Sequence, residues 1–304
     1  MEHDPEMDFA YHRSLKKTLK ACQEWLTYPG NPERPAEYSA DLQGWLDAPE
    51  RPAKMPGNPV ADLGHYYGMA TCAAYGRQDL GDLARLMHWA VALRALDLRM
   101  NGMFSERRPD LGNWPWEFWD SMNAAGPLML FEWELGHICA ERFIEMAEKD
   151  ERVNRPPATR MINHNTNDVF LVGLFSQAFD IPTSFQPRKP LIEPYQQLLD
   201  AWRTNDESVF QTAMQAASEF HITRSKSSTG SKFYEFDTAF DRLFPAELLA
   251  VQALRQRDGL PAFEAGHLLV DGPWAVIKDL PDAEPNPLTL QVEAQLQRDY
   301  PEFR

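Results

Sequence analysis

Two short motifs in this sequence place a glutamate three residues before a histidine. They are Glu134-Leu-Gly-His137 and Glu264-Ala-Gly-His267. Residues three apart on a helix project from the same face, so both side chains of such a motif can bind one metal ion. Two E-x-x-H helices with two further glutamates are the ligand set of carboxylate-bridged di-iron bundles. One hypothesis for this protein is therefore a helical metal-dependent oxidase or hydrolase.

The context of these motifs argues against that hypothesis. The second motif follows Gly259-Leu-Pro261 and contains Gly266, which is a poor setting for a rigid ligand helix. A four-letter motif also recurs by chance in a chain rich in glutamate. The sequence has no glycine-rich phosphate loop, no G-x-S-x-G elbow, no H-E-x-x-H helix and no paired Cys and His for zinc. We therefore expect no metal, no cofactor and no enzymatic activity.

The strongest concentration of charge lies on a predicted helix from about Pro127 to Asp150. Nine acidic and only two basic residues lie between Glu117 and Glu151. At 100° per residue, one sector of roughly 80° contains five polar side chains. They are Glu134, His137, Glu141, Glu145 and Glu148. Since like charges four residues apart destabilise a helix, this acidic stripe predicts a docking surface for a cationic partner. The alternative is a face that is merely solvated.

Four aromatic residues precede this helix within six positions, in Trp114-Pro-Trp116-Glu-Phe118-Trp119. Tryptophan is the most frequent anchor residue in protein interfaces, especially beside a charged rim. The predicted partner-binding surface therefore combines the acidic stripe with Trp114, Trp116 and Trp119. The alternative role for these aromatics is packing between helices.

The elements that must position these residues are helical. Period-2 strand patterns are nearly absent, whereas apolar residues at helical spacing are frequent. We predict an all-α fold, an irregular bundle of antiparallel helical hairpins with about ten helices. An N-terminal half, 1–155, contains a proline-rich connector at 29–59. It packs against a C-terminal half, 156–304, to form one compact unit.

Two predicted hairpins, 59–100 and 191–221, each have a four-residue turn that ends in an N-capping aspartate, Asp79 or Asp206. Gly76 is predicted to adopt the left-handed conformation at the first turn. The second hairpin is predicted to bury Val209, Ala213, Ala216, Ala217 and Phe220. An acidic tail is predicted to follow Ile277.

Composition predicts the cellular setting. Thirty Lys and Arg against forty-five Asp and Glu give a net charge of −15, which repels nucleic acid and anionic membranes. The first residues, MEHDPEMDF, lack the basic start and apolar run of a secretory signal. Cys22, Cys72 and Cys139 are isolated among apolar neighbours, which predicts buried, reduced thiols. We expect a cytoplasmic protein that binds neither nucleic acid nor membranes.

The second half of the chain resembles a known family. The resemblance covers roughly residues 160–280 and lies in four segments: Asn167–Phe175, YQQLLDAW at 195–202, Glu235-Phe-Asp-Thr238 and Phe244–Leu249. These segments are similar to immunity proteins of bacterial polymorphic toxin systems. The all-helical immunity protein 49 kind is the nearest type, and the immunity protein 52 kind is a second. Such a resemblance implies no catalytic residue and one partner, a cognate toxin delivered by contact-dependent or type VI secretion.

These observations lead to one hypothesis and two alternatives. The hypothesis is an immunity protein (an antitoxin) that is a monomer or dimer. It would neutralise a cytoplasm-acting toxin, such as a basic nuclease, by direct contact, because an acidic stripe can occupy a surface that otherwise binds phosphates. The alternatives are the metal-dependent enzyme described above and a helical-repeat scaffold that binds a peptide and no toxin.

Overall fold

Thirteen α-helices form the part of the chain that the computed structural model describes, which comprises residues 9–49, 56–107, 118–153, 165–229 and 232–304. Within these ranges there is no strand, only an isolated bridge between Thr229 and Lys232. The predicted all-α class is therefore confirmed. The helix count exceeds the expected ten because one predicted helix is split and the helices at 239–243 and 287–299 were not predicted.

The first six helices and a short 3-10 turn make up the N-terminal half. Their bounds are 3-10 Arg13–Leu15, α1 Lys16–Thr27, α2 Arg34–Asp47, α3 Asn58–Arg77, α4 Leu80–Arg107, α5 Phe118–Met129 and α6 Trp133–Val153. Helices α3 and α4 form the predicted first hairpin, and Asp79 Oδ1 accepts a hydrogen bond from the Asp82 N–H at 3.1 Å, as expected of an N-cap. The left-handed residue is Gln78, with φ of 59°, and not Gly76 as predicted, because α3 continues to Arg77.

The remaining seven helices follow residue 165. Their bounds are α7 Asn167–Phe179, α8 Glu193–Ala201, α9 Glu207–Arg224, α10 Ala239–Leu243, α11 Ala246–Arg257, α12 Leu268–Ile277 and α13 Pro287–Asp299. The α8–α9 hairpin has the predicted cap, since Asp206 Oδ1 accepts from the Val209 N–H at 3.1 Å. Val209 itself is 48% exposed, contrary to the prediction, because its neighbour Phe210 faces the core and packs under the guanidinium of Arg255.

Helix α11 lies at the centre of the molecule. All ten residues from Ala246 to Arg255 are buried, and the helix contacts α5, α7, α9 and α12. One hydrophobic core extends from Phe9 to Ile277 and includes side chains from both halves of the chain. Because α11 is enclosed on all sides, its polar residues must find hydrogen-bond partners inside the protein.

Glu247 of α11 finds these partners in a buried polar cluster. Its Oε1 atom accepts a hydrogen bond from the Tyr195 hydroxyl at 3.0 Å and lies 2.7 Å from His221 Nδ1. The His221 ring stacks on Phe236 with a centroid distance of 3.6 Å. Burial, together with the neighbouring carboxylate of Glu247, raises the pKa of Tyr195 well above its usual value, so this tyrosine stays a neutral donor.

The helix predicted from about Pro127 to Asp150 is in fact two helices, α5 and α6. Phe131 adopts φ of 60°, and the Glu132 N–H donates to the Pro127 carbonyl at 3.0 Å, which closes the last turn of α5. Immediately afterwards α6 crosses close to α5. A Cβ on Gly136 would lie 2.2 Å from Leu128 Cδ2, so glycine permits this approach.

The prediction of an acidic tail after Ile277 is also wrong, because residues 287–299 form α13. Asn286 caps this helix by accepting hydrogen bonds from the N–H groups of Leu288 and Thr289 at 3.0 and 3.2 Å. Val292 and Leu296, four residues apart, join a second apolar cluster with side chains of α2 and α4. The amphipathic spacing of these few apolar residues is sufficient to hold the helix against the bundle.

The three cysteines are free and buried, as predicted. The Sγ atom of Cys22 lies 3.9 Å from the thioether sulfur of Met69, and Cys72 and Cys139 are fully enclosed. None of the described helices combines the length and the apolar character needed to cross a membrane.

Gly272 in α12 offers a test of the packing. A Cβ at this position would lie 2.1 Å from the carbonyl oxygen of Ala10, which cannot move away without displacing the backbone. We expect Gly272→Ala to lower the free energy of unfolding by about 2–3 kcal/mol, as in overpacked cores. The measurement is urea denaturation followed by circular dichroism.

Gly44 in α2 provides the control, because it is exposed and a Cβ there would meet no atom within 4 Å. Gly44→Ala should raise the free energy of unfolding by about 0.5–1 kcal/mol, since alanine favours the helix. Equal stability of the two variants would contradict the close approach of α12 to Ala10.

Candidate functional site

The predicted acidic stripe lies on the outer face of α6, but its members differ in exposure and in their contacts with the rest of the protein. Glu134 and His137, near the start of the helix, are exposed. The imidazole of His137 stacks on Phe179 with a centroid distance of 4.9 Å and an interplanar angle of 3°. Its Nε2 atom lies 3.6 Å from Glu141 Oε1.

Two carboxylates in the middle of the stripe are paired with arginines of the same chain. Glu141 accepts from Arg304 Nη1 at 2.9 Å. Glu145 pairs with Arg304 Nη2 and also with Nη1 of the buried Arg142 at 3.1 Å. The negative charge of these two residues is therefore largely balanced within the protein.

The last member of the stripe is held by a loop. Glu148 Oε1 accepts hydrogen bonds from the Thr183 hydroxyl at 2.9 Å and from the Ser184 N–H at 2.6 Å. A carboxylate with two such donors joins the loop after α7 to α6. A partner would have to displace these contacts, so we place the candidate site at the other end of the helix.

The predicted tryptophan anchors fall mostly outside the described residues. Trp114 and Trp116 lie outside them, and Trp119 lies in the first turn of α5 with its side chain likewise outside. Helix α5 separates this aromatic segment from the acidic helix, because the break at Phe131 delays the start of α6 to Trp133. Contact between these tryptophans and a partner stays a prediction.

A groove of about 510 Å³ lies beside the free end of the stripe, between α4, the start of α6 and α13. It is lined by both charged or polar and apolar side chains. They are Arg99, Glu132, Trp133, Glu134, Leu135, Ile138, Glu293 and Gln297. We refer to this set as the acidic groove.

Three carboxylates and one guanidinium line the acidic groove. Arg99 is buried and donates from Nη1 to Glu293 Oε1 at 2.6 Å, which fixes that carboxylate at the rim. Glu132 Oε1 lies 3.1 Å from His88 Nδ1. Glu134 has no ion pair with any other described residue. The three acidic residues therefore outnumber the single arginine, and the potential in the groove is negative.

Three side chains of α6, Trp133, Leu135 and Ile138, form an apolar wall of the groove. Trp133 packs edge-on against Phe131 at 5.7 Å, and the guanidinium of Arg257 lies 5.8 Å from its ring centroid. Leu135 and Ile138 are half-buried beside it. The left-handed Phe131 sets the position of this wall, because it fixes where α6 begins and hence which residues of its first turns face α13.

Sequence analysis identified Glu134 but missed the other groove residues. Glu132 and Trp133 lie inside the single helix predicted from about Pro127, whereas in the structure α6 begins at Trp133 and Glu132 precedes it. Glu293 was assigned to an acidic tail. Its spacing from Val292 and Leu296 was the signal for an amphipathic helix, but no local pattern pairs it with Arg99, which is 194 residues away.

The two E-x-x-H motifs do not contribute to a shared ligand group among the described residues. The described residues contain no group of three or more His, Cys, Asp or Glu side chains that could hold a metal ion. His267 is used structurally: its Nδ1 accepts from the Leu269 N–H at 3.2 Å, its Nε2 lies 3.3 Å from Glu219, and its ring stacks on His12.

Comparisons with known protein families, with characterised proteins and with solved structures found no match to this chain.

Arg142 and Arg304 allow a test of which cation matters to the fold, because both pair with Glu145. Arg142 is buried and also donates to the Glu302 carbonyl at 2.5 Å, whereas the Arg304 side chain is 45% exposed. We expect Arg142→Ala to lower the free energy of unfolding by about 2–4 kcal/mol, since it leaves a cavity and an unpaired carbonyl.

Arg304→Ala is the matched variant, and it should change the free energy of unfolding by less than about 1 kcal/mol, as is typical of exposed ion pairs. Urea denaturation of both variants measures the difference. If Arg304→Ala were the more destabilising of the two, the assignment of Arg142 as the structural cation would be wrong.

Proposed function

We propose that this chain is an immunity-type protein that binds a cationic protein partner at the acidic groove and thereby neutralises a toxin. The observation on which the proposal depends is the groove itself, with Glu132, Glu134 and Glu293 around an apolar wall. Its place of action is the cytoplasm, and its partner is a basic, cytoplasm-acting toxin such as a nuclease.

The chemistry of the acidic groove suits an arginine or lysine side chain. A guanidinium can pair with Glu134, which has no other partner among the described residues, while its methylenes pack on Leu135 and Ile138. Trp133 offers its ring to an aromatic side chain of the partner. A central apolar anchor with a charged rim is the usual arrangement of energetically important residues in protein interfaces.

The overall charge supports the same kind of partner. A net charge of −15 attracts a basic protein from a distance and accelerates its encounter at low salt. We further propose, from the resemblance that the sequence of 160–280 suggested, that the partner is encoded beside the chain. In this proposal the protein acts by occupying a surface of the toxin and not by catalysis.

The test uses the protein encoded immediately upstream, expressed in a bacterial host with and without this chain. We expect co-expression of the intact chain to restore growth and the two proteins to purify together. The variant Glu132→Gln/Glu134→Gln/Glu293→Gln should weaken binding at least about tenfold, because each lost charge-assisted contact is worth roughly 1 kcal/mol or more. It should also flatten the dependence of the association rate on salt concentration.

Two matched triple variants serve as controls, because each changes the net charge by the same amount. In the first, the exposed Glu24, Glu37 and Glu207 become Gln on α1, α2 and α9. In the second, the internally paired Glu141, Glu145 and Glu148 become Gln. Both should retain protection. A loss of binding in all three variants would indicate an effect of net charge alone, and unchanged binding of the groove variant would refute this site.

A further inference from the structure

A second, smaller cleft lies on the opposite side of α4 from the acidic groove. It has a volume of about 210 Å³ and is bordered by α3, α4, α5 and the residue before α10. Its lining consists of Ala61, His65, Arg94, Asp97, Asn123 and Thr238. None of these residues belongs to the acidic groove, so the cleft is independent of the proposed function.

The guanidinium of Arg94 is held rigidly at one wall of the cleft. Its Nη2 donates to Oδ1 of the buried Asp241 at 2.5 Å, and its Cζ lies 5.0 Å from the centroid of Phe240. The other carboxylate oxygen of Asp241 accepts from the Thr238 hydroxyl at 2.7 Å, so Asp241 is fully engaged. The remaining N–H groups of Arg94 have no partner among the described residues. A guanidinium fixed in this way is organised in advance to bind a carboxylate.

Two further polar side chains border the same space. Asn123 is 95% buried, yet its amide forms no hydrogen bond with another described residue. The amide of Asn123 stays accessible from the cleft, where solvent or a ligand can form hydrogen bonds with it. Asp97 lies three residues after Arg94 on α4, so both project to the same side. One of its oxygens is 3.4 Å from the Asn101 amide.

The charges of Arg94 and Asp97 have opposite sign and face a common space. We propose that this cleft binds a small zwitterion of the free α-amino acid class. Arg94 binds the carboxylate, Asp97 binds the ammonium group, and Asn123 donates to or accepts from the remaining polar atoms. The cleft is smaller than the roughly 300–1,000 Å³ typical of sites for larger ligands, which suits a ligand of about the size of one amino acid.

The ionisation of Asp97 makes a further property of this site measurable. Burial raises the pKa of Asp97 to about 6, against the opposing effect of Arg94. The other groups that face it are His65 from α3, Arg94 from α4 and, behind Arg94, Asp241 from α10. Partial burial of the His65 ring and the positive charge of Arg94 both lower the pKa of His65, so this histidine is neutral at pH 7. Asp97 is thus an anion at pH 7, and an ammonium ligand should be released as the pH falls below about 6.

The experiment is calorimetric titration of the full chain with each of the twenty free L-amino acids at pH 7.5. At least one should bind. Its decarboxylated amine and its deaminated acid should each bind at least about tenfold more weakly, since each lacks one charged contact. Asp97→Asn keeps the shape of the side chain. It should lower the affinity for the amino acid by a similar factor, and this affinity should no longer fall between pH 7 and pH 5.

Asp282→Asn is the control, because Asp282 is exposed and does not line the cleft. The affinity of this variant for the amino acid should equal that of the wild type. Arg94→Lys tests the carboxylate contact. If that variant does not fold, the two ligand analogues and Asp97→Asn still decide the question. The proposal is overturned if no amino acid binds at roughly 10 mM, if the deaminated acid binds as well as the amino acid, or if Asp97→Asn binds unchanged.

Discussion

Guanidinium groups inside an acidic protein hold this structure together. Arg99, Arg142 and Arg255 are buried and Arg94 is nearly so. A cation removed from water must keep its hydrogen bonds, and each of these donates to carboxylates or backbone carbonyls from distant parts of the chain. Arg255, for example, donates to the carbonyl oxygens of Trp202 and Pro261 at 2.5 and 2.8 Å.

The same arginines shape both sites and make them different. Arg99 holds Glu293 at the rim of an open groove in which negative charge predominates, and this geometry suits a large cationic partner. Arg94 is held by Asp241 and presents its free edge to a small cleft in which charges of both signs meet. One helix, α4, contributes both arginines. The two sites are thus joined by a rigid element but differ in the class of molecule that they suit.

The sequence was sufficient to predict helices with clear caps, such as the one at Asp206, and the outward face of α6. It was not sufficient where a local signal was missing or misleading. Phe131 ends a helix in a left-handed conformation that bulky residues rarely adopt, so nothing in the sequence marks the break. Glu293 faces the groove because α13 folds back over α4, which depends on packing between residues nearly 200 positions apart. Pairings of that kind leave no periodic pattern within one segment.

The central position of α11 also constrains how the chain is made. Ribosomes deliver the polypeptide from its N-terminus, and α5 cannot bury the face that contacts α11 until Ala246–Arg257 has emerged. During most of translation the apolar surface of α5 therefore lacks its final cover. Nascent chains of this protein should bind chaperones until late in synthesis, and the two halves should acquire their native structure together.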